Sequence, residues 1–139
     1  MGYCMSQGDT KFRIKAANKA AALEAVRALA KDGARMSYYN GRERRFSWVT
    51  TDDFTLAKTL EVALEAWRWP AVVDEKTGDI VGIEHHGEKL GDDPVLWDAI
   101  APFVESGSYI QMSGEDGNVW RWCFKDGGHY ESTPTWPDV

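Results

Sequence analysis

The sequence predicts a single α+β domain over residues 1–139, in which an antiparallel twisted β-sheet carries three helices packed mainly on one face. Three observations lead to this class. A tryptophan-bearing hairpin occupies residues 108–124, and three other segments space their apolar residues as helices do. The last strands are joined by links too short for the crossovers that parallel strands need. The chain is therefore expected to end in a β-meander.

The hairpin has two possible registers, and its apolar pattern chooses between them because a one-residue slip turns every side chain to the other face. A loop of three residues, Glu115 to Gly117, gathers the apolar side chains on one face and puts Ile110 opposite Trp122. It also gives Gly117 the left-handed position that such a loop requires. The predicted buried face holds Ile110, Met112, Trp120, Trp122 and Phe124, and the more exposed face holds Gln111, Arg121 and Cys123.

The N-terminal third is expected to form strands and a helix. Residues 3–5 are expected to begin a strand, and residues 11–15 alternate polar and apolar side chains as a half-buried strand does. Asn18 is a suitable N-cap for an alanine-rich helix, and Gly33 is a typical residue after a helix C-terminus. The inward face of this helix is predicted to be Ala22, Val26, Leu29 and Ala30.

A basic and aromatic cluster follows between Arg35 and Arg45. The dipeptide Asn40-Gly41 is a strong turn signal, so the cluster is expected to be an exposed loop or a small hairpin. A short strand is predicted next, over residues 46–49.

The second helix has the clearest pattern. Thr59 can cap it, and it ends before Pro70. Its apolar residues follow helical spacing and line one side: Leu60, Ala63, Leu64 and Trp67.

Two short strands, 71–73 and 80–83, are predicted to follow, and residues 85–93 form a polar loop. Asp93 is expected to cap the third helix, with Pro94 at its first position. Leu96 and Ile100 are expected to face inward, and Pro102 to end or kink the helix.

Composition indicates an ordinary globular domain, with 43% hydrophobic and 27% charged residues and a net charge of −6. The charge is uneven: residues 1–50 hold 10 Lys and Arg against 4 Asp and Glu, whereas residues 51–139 hold 6 against 18. Either these charges interleave on the folded surface, or one face is strongly acidic and favours a basic partner. Because no apolar run approaches the roughly 20 residues that span a bilayer, a cytoplasmic protein without membrane contact is expected.

The leading functional hypothesis is a non-catalytic protein that presents an acidic, partly aromatic surface to a protein partner. Acidic residues steer association and exclude wrong partners, while aromatic residues supply buried contact area. The candidate binding residues are Glu84, His86, Glu88, Asp92 and Asp93, with Trp97 beside them. Trp48, Trp69 and Trp136 are further aromatic residues that would serve as an anchor if one were exposed beside this loop.

Two alternatives stay open. One is a small-molecule-binding domain or minor enzyme, with a tryptophan-lined pocket that contains His85, His86 or His129. The other is nucleic-acid binding through Tyr38, Tyr39, Arg42, Arg44 and Arg45, although the acidic remainder of the chain would repel phosphate. The sequence holds no spacing typical of a metal site, a nucleophile or a phosphate-binding loop, so no metal, catalytic residue or cofactor is expected.

Several segments resemble a family of small uncharacterised bacterial and phage-borne proteins. These are Met-Gly-Tyr-Cys-Met at the start, residues 59–69, residues 87–93, and the stretch from Ala101 to Trp122. The resemblance covers most of the chain. It implies a binding protein from a phage or other mobile element, of the kind that acts as an anti-defence or immunity-type inhibitor.

Overall fold

A computed structural model describes residues 2–40 and 43–134, and backbone alone for residues 38–40 and 43. Its strands are β1 (Met5–Lys11), β2 (Tyr38–Asn40), β3 (Glu43–Arg45), β4 (Ala71–Val73), β5 (Ile80–Ile83), β6 (Tyr109–Gly114), β7 (Val119–Lys125) and β8 (Gly128–Ser132). Its helices are α1 (Lys19–Ala28), α2 (Thr51–Thr55), α3 (Leu60–Ala66) and α4 (Asp93–Ile100). Short 3-10 turns cover Ala16–Asn18, Leu29–Lys31, Gly33–Arg35 and Ala101–Phe103.

The main sheet has four antiparallel strands in the order β1-β6-β7-β8. The predicted hairpin register is confirmed: Ile110 lies opposite Trp122 and Met112 opposite Trp120, and Gly117 has a φ of 86°. All five apolar side chains of the predicted face are buried. The hairpin thus forms the centre of the sheet.

The helices cover this apolar face, which confirms the α+β class. Trp97 of α4 packs on Trp122 at a ring distance of 5.5 Å and on Phe124 at 6.0 Å. A second aromatic group fills the core between α2 and α3, where Trp67 lies 4.9 Å from Phe46 and 5.7 Å from Phe54. Aromatic residues therefore account for much of the buried volume.

The two shorter sheets are both hairpins. Strands β4 and β5 pair as predicted, and β2 pairs with β3 on either side of the expected turn, whose residues 41 and 42 lie outside the described part of the chain. Thr59 caps α3 by accepting a hydrogen bond from the amide of Val62 at 3.2 Å, as predicted. The helix α2 is an addition to the three predicted helices, and its five residues are too few to show a helical period.

Four local predictions are corrected. Asp93 is the first residue of α4 and not its cap; the N-cap is Asp92, whose side chain makes no capping bond. The strand predicted over residues 46–49 is a turn, closed by a hydrogen bond from the amide of Val49 to the carbonyl of Phe46 at 3.1 Å. The strand predicted over residues 11–15 is absent. Strand β1 ends at Lys11, and beyond it Ile14 makes only an isolated bridge to Ile80. Asn18 lies in a 3-10 turn with helical dihedral angles, so its side chain makes no capping bond.

Ion pairs link the basic first third of the chain to its acidic remainder. Arg13 pairs with Asp79 at 2.8 Å, Lys19 with Glu61 at 3.2 Å, and Arg35 with Asp98 at 2.8 Å. The opposite charges of the two parts therefore meet within one molecule.

Candidate binding surface

The segment from Glu84 to Asp93, here called the acidic loop, connects β5 to α4 and is anchored on two sides. On one side the amide of Leu90 donates to the carbonyl oxygen of Tyr3 at 2.7 Å. On the other side the amide of His86 donates to the carbonyl oxygen of Arg68 at 2.8 Å. The loop is thus tied both to the start of the chain and to the end of α3.

Asp93 lies inside the protein rather than on its surface, with 1% of its area exposed. Its carboxylate accepts hydrogen bonds from Trp69 Nε1 at 2.8 Å and from the amide of Gly91 at 2.9 Å. Arg68 Nη2 lies 3.2 and 3.3 Å from its two oxygens. The structure therefore corrects its assignment to the surface, because a buried carboxylate needs these partners and is closed to others.

Arg68 holds an unusual backbone position that suits this pairing. The amide of Trp69 donates to the Leu64 carbonyl, and the amide of Arg68 donates to the Glu65 carbonyl, which is the Schellman pattern at the end of a helix. The residue after such a helix is left-handed and is usually glycine, yet here it is Arg68 with a φ of 71°. The conformation directs a cationic side chain to Asp93.

Trp97 is likewise buried, with no exposed area. Its ring packs against Trp69 at 4.9 Å and against Trp122 at 5.5 Å. The assignment of Trp97 to an exposed surface is therefore wrong, and the residue belongs to the core.

His85 packs between an aromatic ring and the backbone of the acidic loop. Its imidazole lies 4.6 Å from the Trp69 ring, and an added Cβ at Gly87 would come within 3.0 Å of it. Neither ring nitrogen has a hydrogen-bond partner in the described part of the chain. Burial lowers the pKa of His85 from its ordinary value of 6.5, Asp93 opposes this shift, and Arg68 adds to it.

The other predicted residues of the loop are more accessible. Glu84, His86 and Glu88 are exposed, and His86 Nε2 lies 3.7 Å from a carboxylate oxygen of Glu84. Asp92 is partly buried. Of the six predicted residues, the structure thus leaves three fully on the surface.

The exposed aromatic residue beside the loop is Trp48, with 56% of its area accessible. Its backbone is left-handed, with a φ of 66°, and its indole rests on Gly91, where an added Cβ would lie 2.8 Å from Trp48 Cδ1. Ser47, the residue before Trp48, is held by Asp92, whose carboxylate accepts hydrogen bonds from the Ser47 amide at 2.8 Å and from Ser37 Oγ at 2.7 Å. No sequence pattern predicts this conformation, because tryptophan rarely adopts it.

The basic and aromatic cluster is partly described. Arg35 Nη2 donates to Asp98 at 2.8 Å, and Arg44 Nη2 donates to the carbonyl of Met36 at 2.9 Å. Arg42 and the side chains of Tyr38 and Tyr39 lie outside the described part, and Arg45 is partly buried. Nucleic-acid binding by this hairpin therefore stays a prediction.

Two grooves of about 690 and 380 Å³ lie on the described surface, and no histidine lines either of them. The buried tryptophans pack on one another instead of around a cavity. Within residues 2–40 and 43–134, no group of three His, Cys, Asp or Glu side chains is arranged to hold a metal ion. These observations add no support to the small-molecule alternative.

No family model, curated protein or solved structure matches this chain. The resemblance to bacterial and phage-borne proteins thus stays a prediction. None of the helices in the described part is long and apolar enough to cross a bilayer.

Proposed function

We propose that this protein binds another protein without catalysing a reaction, and that Trp48 and the exposed part of the acidic loop form the binding surface. The partner would offer an apolar pocket for the indole, surrounded by Lys or Arg side chains. An anti-defence or immunity-type inhibitor from a phage or other mobile element, acting in the cytoplasm, is the function class that we infer. The two free cysteines agree with that compartment.

The observation that carries this proposal is an exposed tryptophan held in a left-handed conformation. Such a backbone position costs on the order of 1–3 kcal/mol and persists where its surroundings impose it, which is common at binding sites. Here the hydrogen bonds that Asp92 accepts from the Ser47 amide and the Ser37 hydroxyl supply the constraint. Tryptophan is enriched among the residues that dominate interface energies, and a side chain fixed before binding loses less entropy on association.

Charge supports the same conclusion. The protein carries a net charge of −6, and Glu84 and Glu88 leave their carboxylates exposed on the loop that supports Trp48. Exposed carboxylates raise the association rate with a basic partner and disfavour acidic ones.

The test compares variants of the full chain by native mass spectrometry after incubation with lysate of the source cells. Trp48→Ala should lose a macromolecular partner that the unaltered protein retains. Tyr130→Ala is the matched control, because Tyr130 is also an exposed aromatic residue, 51% accessible, and lies on β8.

Equal retention by Trp48→Ala would contradict the proposed surface. A retained metabolite or metal ion in place of a macromolecule would favour the small-molecule alternative. If Trp48→Ala does lose the partner, alanine variants of Glu84 and Glu88 would define the edge of the interface, with slower association expected in each.

A further inference from the structure

The larger groove, of about 690 Å³, lies between the β6–β7 turn and the acidic loop. Leu90 of that loop and Tyr3 line it together with Trp120 of β7 and Glu131 of β8. The rings of Tyr3 and Trp120 are 6.3 Å apart. The groove therefore combines aromatic surface with the open end of the main sheet.

Tyr3 is held in place at this groove. Its hydroxyl donates to Asp116, whose carboxylate also accepts from the amide of Asn118 at 3.2 Å and from its Nδ2 at 2.8 Å. The hydroxyl occupies the space where a side chain at Gly114 would be, because an added Cβ there would overlap it. The aromatic wall is thus formed before any ligand arrives.

The groove is negatively charged, and one of its two carboxylates has no partner among the described residues. Asp116 and Glu131 both line it, and the described lining residues include no Lys or Arg. Glu131 lies opposite Trp122 in the strand register, on the face that the helices cover elsewhere, yet it is exposed. Its carboxylate makes no hydrogen bond or ion pair with another described residue. A cation in the groove would meet one free carboxylate and one that is already oriented.

We propose that this groove binds an arginine side chain on an extended segment of the partner protein, with apolar neighbours of that arginine against Leu90 and Val119. The inference rests on the proposed function, since it assigns the segment to that partner. Guanidinium is planar, stacks on aromatic faces and pairs with a carboxylate through two hydrogen bonds, so it suits the partly exposed ring of Tyr3 and the carboxylate of Glu131 better than an ammonium group does.

The experiment titrates the ¹⁵N-labelled full chain with the blocked hexapeptide Ala-Leu-Arg-Arg-Leu-Ala and, as a matched probe, the same peptide with glutamine for both arginines. Backbone amide shifts over residues 116–120 and 131–133 report on the groove. We expect saturable shifts with the arginine peptide and about tenfold weaker binding of the glutamine peptide. Added salt should weaken the binding of the arginine peptide.

Two variants of the protein sharpen the test. Glu131→Gln should lower the affinity for the arginine peptide about three- to tenfold, since it removes the free carboxylate and keeps the side-chain shape. Glu75→Gln should leave binding unchanged, because Glu75 is also exposed but lies in the β4–β5 connection. The amide spectra of both variants show directly whether the fold is retained.

Equal binding of the two peptides, unchanged affinity in Glu131→Gln, or shifts confined to other surfaces would each overturn the inference. The titration uses purified protein and peptide, so its failure is separable from failure of the proposed function. If Trp48→Ala loses a lysate partner while the titration is negative, the proposed function stands and the groove assignment fails. If the titration is positive while Trp48→Ala keeps its partner, the groove is supported and the Trp48 surface is not.

Discussion

Substituting Asp93 with alanine is expected to lower the free energy of unfolding by about 3–5 kcal/mol, because it removes one carboxylate that serves three donors. Asp93 is 1% exposed and the Arg68 side chain is 14% exposed, so solvent screens this pair weakly. The indole N–H of Trp69 and the amide of Gly91 would lose their acceptor. Each unsatisfied buried donor costs about 1–3 kcal/mol, and the partly buried guanidinium adds to that.

This loss is large beside the roughly 5–15 kcal/mol that stabilises a typical domain. Urea unfolding followed by tryptophan fluorescence would measure it. Asp93→Asn should fall between alanine and the unaltered protein, since the amide keeps one acceptor but loses the charge. Glu84→Ala, an exposed change in the same loop, should stay within about 0.5 kcal/mol.

A cost below about 1 kcal/mol for Asp93→Ala would refute the reasoning that this carboxylate anchors the loop. Acrylamide quenching provides a second readout. Because Trp48 rests on Gly91, whose amide binds Asp93, the variant should also quench differently from the unaltered protein even where it is folded.

Three further outcomes are expected. Gly91→Ala should displace Trp48, because the new Cβ would lie 2.8 Å from Trp48 Cδ1 and 3.1 Å from the carbonyl oxygen of Ser47. Partner binding should then fall as far as in Trp48→Ala. Unchanged binding would show that the position of the indole is unimportant. Thr59→Ala should cost about 1 kcal/mol in urea unfolding because it removes the cap of α3, whereas Thr59→Ser should cost much less; equal losses would argue against the cap. Burial lowers the pKa of His85, so below pH 6.5 the unfolded chain binds more protons than the folded one, and stability should fall from pH 6.5 toward the folded-state pKa. His85→Leu should flatten that part of a urea-midpoint profile, and a profile equally steep in the variant would assign the dependence to other groups.

The hairpin register could be predicted because a period of two leaves one arrangement that buries Ile110 with Trp122. The capped helix α3 could be predicted for a similar local reason. The interior of the candidate site could not. Asp93 looks like any acidic residue in the first turn of a helix. Its burial depends on Arg68, a donor 25 positions earlier whose left-handed backbone no sequence pattern predicts.

The exposed part of the candidate site could be predicted only in part. The position of the acidic loop follows from its turn-forming composition, and Glu84 and Glu88 are exposed as expected. The exposure of Trp48 and the burial of Trp97 could not be predicted from their neighbours in the sequence. Trp97 lies on the face of a helix that meets other rings, while Trp48 lies in a turn that replaces the predicted strand over residues 46–49.

The place of β1 at one edge of the main sheet has a consequence for how the chain acquires its structure. Met5 pairs with Gly114, so the first strand cannot form its sheet contacts until a segment more than a hundred residues later in the chain is present. Contacts of such sequence separation slow folding, because a long loop must close before they form. During synthesis, β1 and the apolar side of α4 have no sheet to pack against until β6 and β7 have emerged, and such transiently exposed strand edges and apolar surface favour aggregation and chaperone binding.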